Sequence, residues 1–249
     1  MDLSQEAIKI VEEAKQCGVV IRILGAVAFR LHSPTFSWIH TKLNRTLSDL
    51  DFVTYNKYAS EIVKLFEKFG YNLKKSLAIY EAKRYTFYSK DKTYVADVFF
   101  DELNMCHKIN FRGRLEVDYP TIPLAELLLE KLQIVNFTEK DAIDVIMLLR
   151  EHKLEDSDND CINWNYIAEL LADDWGFYYT VTTNLNRLKD FFIEHINKSN
   201  VLSDNDIKDL NNKIAQLLEK IDKEPKSMKW KMRAKIGAKK RWYQEVESK

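Results

Sequence analysis

The feature that most constrains this chain is a pair of carboxylates, Asp49 and Asp51, in the apolar run Thr-Leu-Ser-Asp-Leu-Asp-Phe-Val at residues 46–53. Side chains alternate along a strand, so the two aspartates share one face while Leu50 and Phe52 share the other. Aspartate is depleted in strands, and two carboxylates about 7 Å apart repel each other unless a cation lies between them. The pair therefore predicts a site for a divalent metal, or else a turn cap or an arginine partner.

The length and composition are those of an ordinary folded protein. The 249 residues are 46% apolar and 31% charged, which is enough apolar mass for a sizeable core. No apolar run approaches the roughly 20 residues that a membrane span needs, and the N-terminus lacks the organisation of a signal peptide. We therefore expect a cytoplasmic protein with no membrane partner.

The motifs disfavour several classes of enzyme and metal protein. The histidines form no HExxH pair, and the chain contains neither a GxSxG nor a Walker sequence. Cys17, Cys106 and Cys161 are far apart, which indicates reduced buried thiols rather than a disulfide framework or a zinc site. Hydrolase triads and P-loop chemistry are thus disfavoured.

Charge is distributed unevenly along the chain. Residues 223–249 carry ten Lys or Arg against three Asp or Glu, a net charge of +7, so the first 222 residues carry −7. Trp230, Trp242 and Tyr243 are interleaved with the basic residues, a combination typical of single-stranded nucleic-acid binding. The alternative is a solvated terminal helix that docks on the acidic body of its own chain.

Apolar periodicity, together with the positions of glycine and proline, predicts mixed secondary structure. Helices are expected at residues 4–16, 57–70, 124–135, 139–151, 164–173, 181–197 and 203–223. Strands are expected at residues 19–24, 46–53, 71–73, near 78–81, 84–89 and 93–100. Residues 35–45 are expected to be irregular, and the acidic run 152–160 is the best linker candidate. The chain is therefore expected to form an α+β domain at residues 1–152 and an α-helical domain at residues 153–249.

A small-residue turn follows the first predicted strand. Gly25 and Ala26 separate that strand from a helix that is expected to begin at Val27. Such a turn presents free backbone N–H groups at the start of the helix, and these groups suit a phosphate.

A third carboxylate, Asp97, lies inside the strand predicted at residues 93–100. Aspartate is disfavoured at such a position, so we expect this side chain to have a function. Asp101 shares a face with Asp97 at the strand period, but Asp97 is preferred because apolar residues flank it on both sides. The alternative is that Asp97 pairs with Arg84 across the hairpin.

Together these features resemble the DNA polymerase β type of nucleotidyltransferase, over roughly residues 5–150. Its pattern is a Gly-[Ser/Gly] turn, an Asp-x-[Asp/Glu] strand and a further Asp on a neighbouring strand. More narrowly, the chain is similar to uncharacterised bacterial and archaeal members, and through them to the nucleotidyltransferase toxins of abortive-infection systems. Those toxins also combine a helical Lys with a Lys/Arg-Asp-x-x-Asp segment. The segments that carry the similarity are Leu24–His32, Leu47–Val53, Ala96–Asp101, Thr121–Val135 and Glu139–Asp144.

The resemblance implies a fold, a metal and three catalytic residues. The fold is a polymerase-β-like mixed sheet flanked by helices, followed by an α-helical C-terminal domain. Two Mg²⁺ ions, or Mn²⁺, stabilise the negative charge that develops during nucleotidyl transfer. Asp49 and Asp51 would bind metal and triphosphate. Asp97 would hold the second metal and act as base, or nearly so, for the acceptor hydroxyl.

Further residues are carried over with the resemblance as contacts of the nucleotide or the acceptor. Gly25 and Ala26 would offer backbone donors to the β and γ phosphates. Arg45 could reach a phosphate from a loop over the nucleotide, although packing of that loop explains it equally well. Lys131 would contact a phosphate or a base edge, and Asp141 an acceptor-side group. For these last two, the alternative is an exposed helix with Glu–Lys pairing.

The expected activity is Mg²⁺-dependent transfer of a nucleoside monophosphate from an NTP such as ATP to an acceptor. The acceptor could be RNA, tRNA included, or a protein or a small molecule. A toxin that modifies tRNA and is silenced by an antitoxin would be a sharper form of this activity. The alternative is a nucleotidyltransferase fold without catalysis that binds RNA or a protein partner through its basic C-terminus. Ala26, which stands where the family pattern has Ser or Gly, motivates that alternative.

Overall fold

The structure is a computed structural model that describes residues 2–74, 84–91, 93–198 and 200–246. Within these bounds the chain forms two compact units. The first takes in Met1–Leu31, Thr46–Asn104 and Lys108–Pro123, and the second takes in His32–Arg45, Met105–His107 and Leu124–Lys249. Each unit therefore draws on separate stretches of the sequence.

The described residues combine helices and strands, as an α+β chain requires. The strands are β1 (Ile21–Leu24), β2 (Asp49–Thr54), β3 (Tyr71–Leu73), β4 (Arg84–Ser89), β5 (Val95–Phe100), β6 (Glu102–Asn104), β7 (Lys108–Asn110), β8 (Leu154–Glu155) and β9 (Ile162–Asn163). The helices are α1 (Leu3–Gln16), α2 (Gly25–His32), α3 (Trp38–Lys42), α4 (Ala59–Lys68), α5 (Leu124–Leu132), α6 (Glu139–Glu151), α7 (Trp164–Asp173), α8 (Trp175–Arg187), α9 (Ile193–Asn197), α10 (Asp204–Lys223) and α11 (Met228–Ile236). In the part of the chain that is described, no helix has the length and apolar character needed to cross a membrane.

Five strands of the first unit form one mixed sheet in the order β1-β2-β5-β4-β3. β2 and β5 are parallel, and the other neighbouring pairs are antiparallel. The strand expected near residues 78–81 falls outside the described residues. Because β2 and β5 are parallel neighbours, both begin at the same edge of the sheet.

One face of this sheet forms the core of the first unit. Phe52 of β2 and Phe87 of β4 are fully buried. Phe66 of α4 packs against both, with ring centroids 5.5 and 4.4 Å away. Asp49 and Asp51 alternate with the buried residues of β2 and are partly exposed. The predicted alternation along this strand is confirmed.

The second unit contains α5 and α6, which the sequence places before a domain boundary at residue 152. α6 and α7 begin and end at the predicted residues. Each has a side-chain cap at its start, a capping box at Thr138 for α6 and the amide oxygen of Asn163 for α7. These caps explain why their boundaries can be predicted.

Residues 35–45, which the sequence predicts to be irregular, contain the short helix α3. Ile39 and His40 of this helix are fully buried. The buried ring nitrogen Nε2 of His40 has a hydrogen-bond partner, Oδ1 of Asp144, at 2.8 Å. The prediction is wrong because so short a helix depends on tertiary burial rather than on a local pattern.

α8 begins at Trp175, earlier than the predicted start at residue 181. The side chain of Asp174 caps it by accepting a hydrogen bond from the backbone N–H of Phe177, at 3.1 Å. A π-helical segment at Leu188–Phe192 then continues the helical path into α9, whose end at Asn197 is the predicted one. Asp174 is therefore the start signal that the periodicity argument overlooked.

Candidate active site

The carboxylates of the three predicted catalytic residues share one face of the sheet. In the parallel pairing of β2 with β5, Asp51 is the direct partner of Asp97, and Asp49 is the partner of Val95. Directly opposite residues project from the same face, and residues two apart on one strand do so as well. Asp49, Asp51 and Asp97 therefore lie together on the face opposite the aromatic core.

Asp97 is almost fully buried, and two side chains of β4 contact it. Thr86, its direct partner in the antiparallel ladder, donates its hydroxyl to Oδ1 at 2.5 Å. Nη1 of Arg84 is 3.7 Å from Oδ2, and the guanidinium also lies over the ring of Phe99 at 5.7 Å. The pairing of Asp97 with Arg84, which the sequence left open, is thus present at the long end of ion-pair distances.

Gly25 lies directly against Asp51. Its φ is +71°, and a β-carbon there would overlap Oδ2 of Asp51 and lie 3.1 Å from its Cβ. α2 begins at Gly25 itself rather than at Val27, so the carboxylate is beside the first turn of a helix. The N–H groups at a helix N-terminus and the helix dipole favour negative charge there. Ala26, the second residue of that turn, is buried.

Asp49, the first residue of β2, is more exposed than Asp97. Its Oδ1 accepts a hydrogen bond from the hydroxyl of Ser48 at 3.0 Å. Among the described residues, no group of three or more His, Cys, Asp or Glu side chains is arranged so that it could hold a metal ion. The sheet face offers one buried and two partly exposed carboxylates on two adjacent strands.

Arg45 and Lys131, predicted as nucleotide contacts, both lie beside Asp144 in the second unit. Oδ2 of Asp144 is 3.0 Å from Nη2 of Arg45 and 3.2 Å from Nζ of Lys131. Its Oδ1 is 2.8 Å from the ring of His40, and Asp144 itself is fully buried. Three side chains that can carry positive charge therefore surround one carboxylate.

The opposite charges of this cluster stabilise the charged forms of Asp144 and Lys131. Burial acts to raise the pKa of Asp144, but Lys131, the hydrogen bond from His40 and the charge of Arg45 together hold that pKa well below its usual range. Burial acts to lower the pKa of Lys131, but Asp144 and Asp141 hold it above its usual range. The predicted nucleotide role of Arg45 and Lys131 stays a prediction, and their charges already have partners within the chain.

Asp141 has a second task at the start of α6. Its Oδ2 accepts hydrogen bonds from the backbone N–H and the hydroxyl of Thr138, at 3.0 and 2.7 Å. Its Oδ1 is also 3.4 Å from Nζ of Lys131. Asp141 thus completes a capping box, and an acceptor-side role for it stays a prediction.

Sequence reasoning included Asp144 only as the last residue of the Lys/Arg-Asp-x-x-Asp segment and gave it no role, and it missed His40. A carboxylate on the apolar face of a helix such as α6 is itself a signal, because charged residues are almost never fully buried unless they are paired. His40 lies 104 positions away from Asp144 along the chain, and no local pattern indicates that they meet.

The first unit also has an open cleft of about 670 Å³ beyond the end of β2. It is lined by Tyr55, Asn56, Lys57, Asp101, Arg112, Gly113 and Glu116. Several of its polar groups pair with one another, since Tyr55 donates its hydroxyl to Glu116 at 2.5 Å and Arg112 is 3.7 Å from Asp101. The predicted catalytic and nucleotide-contacting residues do not line this cleft.

The basic C-terminal segment forms α11, but two of its aromatic rings pack against α8. Trp230 meets Tyr178 edge-on, with ring centroids 5.1 Å apart, and Trp242 meets Tyr179 at 5.0 Å. The indole N–H of Trp242 also donates to the hydroxyl of Thr180 at 3.0 Å. These are stacking surfaces that the sequence assigns to single-stranded nucleic acid. Binding of nucleic acid stays a prediction. Because Trp230 and Trp242 pack against α8, its support is the positive charge of the segment.

Comparison with known proteins does not assign the chain to a family. No protein-family model matches it, and no curated protein matches it either. The resemblance to DNA polymerase β-type nucleotidyltransferases therefore depends on the residues and distances given above.

Proposed function

We propose that this protein is a Mg²⁺-dependent nucleotidyltransferase that transfers a nucleoside monophosphate from an NTP to an acceptor. The observation that carries the proposal is the direct pairing of Asp51 with Asp97, on the sheet face opposite the core, with Asp49 on the same face. Gly25, packed against Asp51, supplies the glycine turn of the pattern. The proposed fold is the mixed sheet of the DNA polymerase β type.

The proposed reaction forms a bond from an acceptor hydroxyl to the α-phosphorus while the bond to pyrophosphate breaks. Negative charge then develops on the attacking oxygen, the phosphoryl oxygens and the leaving group. When bound, two Mg²⁺ ions supply the positive charge that stabilises these oxygens.

The side chains present suit this chemistry. Mg²⁺ prefers oxygen ligands, and commonly takes one or two carboxylates together with substrate phosphates. Asp49 and Asp51 would hold metal beside the triphosphate, and Asp97 would hold metal and accept the proton of the acceptor hydroxyl. The hydroxyl of Thr86 donates to Oδ1 of Asp97, and Oδ2 is the oxygen that lies 3.7 Å from Nη1 of Arg84.

The turn between β1 and α2 would contact the nucleotide through its backbone. A glycine at position 25 leaves room for the Asp51 carboxylate, which a β-carbon would displace. The N–H groups of Gly25 and Ala26 belong to the first turn of α2, where helices commonly bind phosphate. These two residues are therefore the proposed contacts of the β and γ phosphates.

The first experiment measures pyrophosphate release from labelled NTPs with Mg²⁺ and with candidate acceptors, tRNA included. Asp51→Asn and Asp97→Asn should each lower the rate roughly a hundredfold or more, because charge stabilisation worth several kcal/mol is lost. Asp101→Asn is the matched control. Asp101 has a φ of +58°, which asparagine also adopts readily, and it accepts a hydrogen bond from the N–H of Asn56 at 3.2 Å. Release that Asp51→Asn leaves unchanged would refute the proposal.

A scaffold without catalysis is the second candidate, and the position of Arg84 favours it. A guanidinium 3.7 Å from Asp97 competes with any metal for that carboxylate. Such a scaffold would bind RNA or a protein partner through the basic C-terminus, as Ala26 in place of Ser also suggests.

Titration calorimetry separates the two candidates. An enzyme binds NTP with an affinity that requires Mg²⁺ and that Asp51→Asn abolishes. A scaffold binds RNA with an affinity that falls steeply with salt, and shows no Mg²⁺-dependent affinity for NTP.

A toxin that modifies tRNA is the sharper form of the first candidate. Expression of the wild-type chain should then arrest growth, and Asp51→Asn should relieve the arrest. An active enzyme whose expression is harmless would contradict the toxin while leaving nucleotidyl transfer intact.

A further inference from the structure

Thr86 is held in place by the strands on both sides of it. It lies in β4, between β5 and β3 in the sheet, and it is the direct ladder partner of Asp97. On the β3 side, its carbonyl oxygen accepts a hydrogen bond from the backbone N–H of Lys74, at 2.8 Å. The backbone of Thr86 is therefore fixed from both sides, and its side chain projects from the face that carries the three aspartates.

The hydroxyl of Thr86 is directed at the carboxylate of Asp97. The distance of 2.5 Å from this hydroxyl to Oδ1 lies in the range of hydrogen bonds between a hydroxyl and a carboxylate. A hydroxyl has one proton to donate, so this bond uses the whole donor capacity of the side chain. Asp97 is 2% exposed, and a polar group at that depth depends on partners within the protein rather than on bulk water.

The strand itself does not require this hydroxyl. Valine has nearly the shape of threonine, and both residues are favoured in strands. A valine at position 86 would preserve β4 while it removes the hydroxyl from Oδ1 of Asp97. What threonine adds at this position is therefore a hydrogen-bond donor for the carboxylate.

We propose that Thr86 is the positioning residue of Asp97 in nucleotidyl transfer. The rotation of an aspartate about its Cβ–Cγ bond is only loosely restrained by its own structure. A hydrogen bond from a side chain on a rigid strand fixes that rotation and so presents the carboxylate in one orientation. Thr86 contacts neither the nucleotide nor the reacting oxygen. This role rests on the proposed function, since it requires that Asp97 serve in catalysis.

The experiment compares Thr86→Val with Thr86→Ser in steady-state assays of pyrophosphate release. Thr86→Val should lower kcat about 10–100-fold, the usual loss when the hydrogen-bond partner of a site carboxylate is removed. The KM for NTP should change less than about threefold, because the proposed phosphate contacts, Gly25 and Ala26, are unaltered. Thr86→Ser keeps the hydroxyl and should retain kcat to within about threefold of the wild type.

Thr54→Val is the matched control. Thr54 also lies in the sheet, at the end of β2, and its hydroxyl donates to the carbonyl oxygen of Val20 at 2.6 Å. The substitution removes the same group from a hydrogen bond that involves no carboxylate, so kcat should stay at the wild-type value. A loss of kcat in Thr54→Val or in Thr86→Ser as large as in Thr86→Val would overturn the proposal, because it would indicate general damage to the sheet.

Binding of Mn²⁺ tests the same role without turnover. Electron paramagnetic resonance of free Mn²⁺ should show an affinity about tenfold weaker in Thr86→Val than in the wild type. In an Asp97→Asn background, Thr86→Val should have no further effect, because a positioning residue acts through the residue that it holds. An effect of equal size in both backgrounds would overturn the proposal.

Asp51→Asn separates failure of this role from failure of the proposed function. If Asp51→Asn leaves pyrophosphate release unchanged, or if the wild type neither releases pyrophosphate nor binds Mn²⁺, the proposed function and the role of Thr86 are both overturned. If Asp51→Asn abolishes release while Thr86→Val behaves as the wild type, only the role of Thr86 is overturned.

Discussion

A β-carbon on Gly25 would overlap the carboxylate oxygen Oδ2 of Asp51. The register of the sheet fixes this approach, because Leu24, the residue before Gly25, is the ladder partner of Asp51. Gly25 also has a φ of +71°, a conformation that L-residues adopt only at a cost. The glycine thus meets two needs at one position, the backbone turn and the space for the carboxylate.

Gly25→Ala should lower the free energy of unfolding by about 2–5 kcal/mol. The positive φ costs about 1–2 kcal/mol, and overpacking typically adds a further 1–3 kcal/mol. Gly18→Ala is the matched control, because its φ is +72° and no atom lies within 4 Å of the position of its β-carbon. Urea denaturation measures both variants. Equal losses would show that Asp51 does not crowd Gly25.

Arg84→Ala should change the free energy of unfolding by less than about 1 kcal/mol, because the Arg84 side chain is 45% exposed and such pairs are weak. Its effect on metal affinity should be larger. The guanidinium competes for Asp97, so its removal should strengthen Mn²⁺ binding several-fold, as measured by electron paramagnetic resonance of free Mn²⁺.

Arg112→Ala is the matched control for Arg84. Nη2 of Arg112 is also 3.7 Å from an aspartate, Asp101, but this pair lies at the open cleft beyond β2. Mn²⁺ affinity should be the same in this variant as in the wild type. Weaker Mn²⁺ binding in Arg84→Ala would mean that the guanidinium supports the carboxylate site rather than competing for it.

The sequence is sufficient to predict the bounds of a helix or strand when the residues that start the element lie within it or next to it. The predicted cap of α10 is Ser203, whose hydroxyl oxygen accepts a hydrogen bond from the N–H of Asp206 at 3.2 Å. The carboxylate of Asp206 in turn accepts a hydrogen bond from the backbone N–H of Ser203. The alternation of Asp49 and Asp51 with buried apolar residues is equally local. Such features depend on residues a few positions apart, so periodicity and capping rules find them.

Local sequence patterns do not predict contacts between segments that are far apart along the chain. The pairing of Asp51 with Asp97 depends on the register of β2 and β5, and a shift by one residue would turn one aspartate to the other face. Asp144 meets Arg45 from 99 positions away. The sequence indicates Arg84 as a partner of Asp97 because both lie in one hairpin. It places Lys131 and Asp144 in one motif, but no local pattern indicates that His40 and Arg45 also meet Asp144.

Asp144→Asn should lower the free energy of unfolding by about 3–5 kcal/mol, because it leaves Arg45 and Lys131 without their shared counterion. Asp209→Asn is a suitable control, since Asp209 also pairs with two cations, Arg150 and Lys213, but is partly exposed. Asp209→Asn should cost no more than about 1 kcal/mol. Similar losses in the two variants, measured by urea denaturation at neutral pH, would contradict a central role for Asp144.

The same carboxylate predicts a dependence on pH. The pKa of Asp144 is lower in the folded state than in the unfolded chain, where aspartate has a pKa near 3.9. Its contribution to stability is therefore complete above about pH 4 and is lost as the pH falls through the folded-state pKa. The free energy of unfolding should fall more steeply below about pH 4 in the wild type than in Asp144→Asn. Parallel curves would contradict this assignment.

His107 predicts a second dependence, at higher pH and of different origin. Its ring stacks on Phe177 with centroids 5.0 Å apart, and its Nε2 is 2.8 Å from the hydroxyl of Thr180. Burial lowers the pKa of His107 to about 4, although the charge of Asp174 opposes the shift. Histidine in the unfolded chain has a pKa near 6.5, so between about pH 6.5 and 4 the unfolded chain binds a proton that the folded chain does not.

Stability should therefore fall as the pH decreases through that window, by roughly 2 kcal/mol between pH 7 and pH 5 from this residue. His107→Gln should remove this part of the pH dependence, because glutamine does not titrate. His195→Gln is the control, since His195 is 40% exposed and has a nearby carboxylate, Glu139, at 3.4 Å. Urea denaturation at the two pH values gives the difference, and an NMR titration of the imidazole gives the pKa directly. An imidazole of His107 that titrates above pH 6 would show that the ring is accessible to water and that its burial does not set its charge.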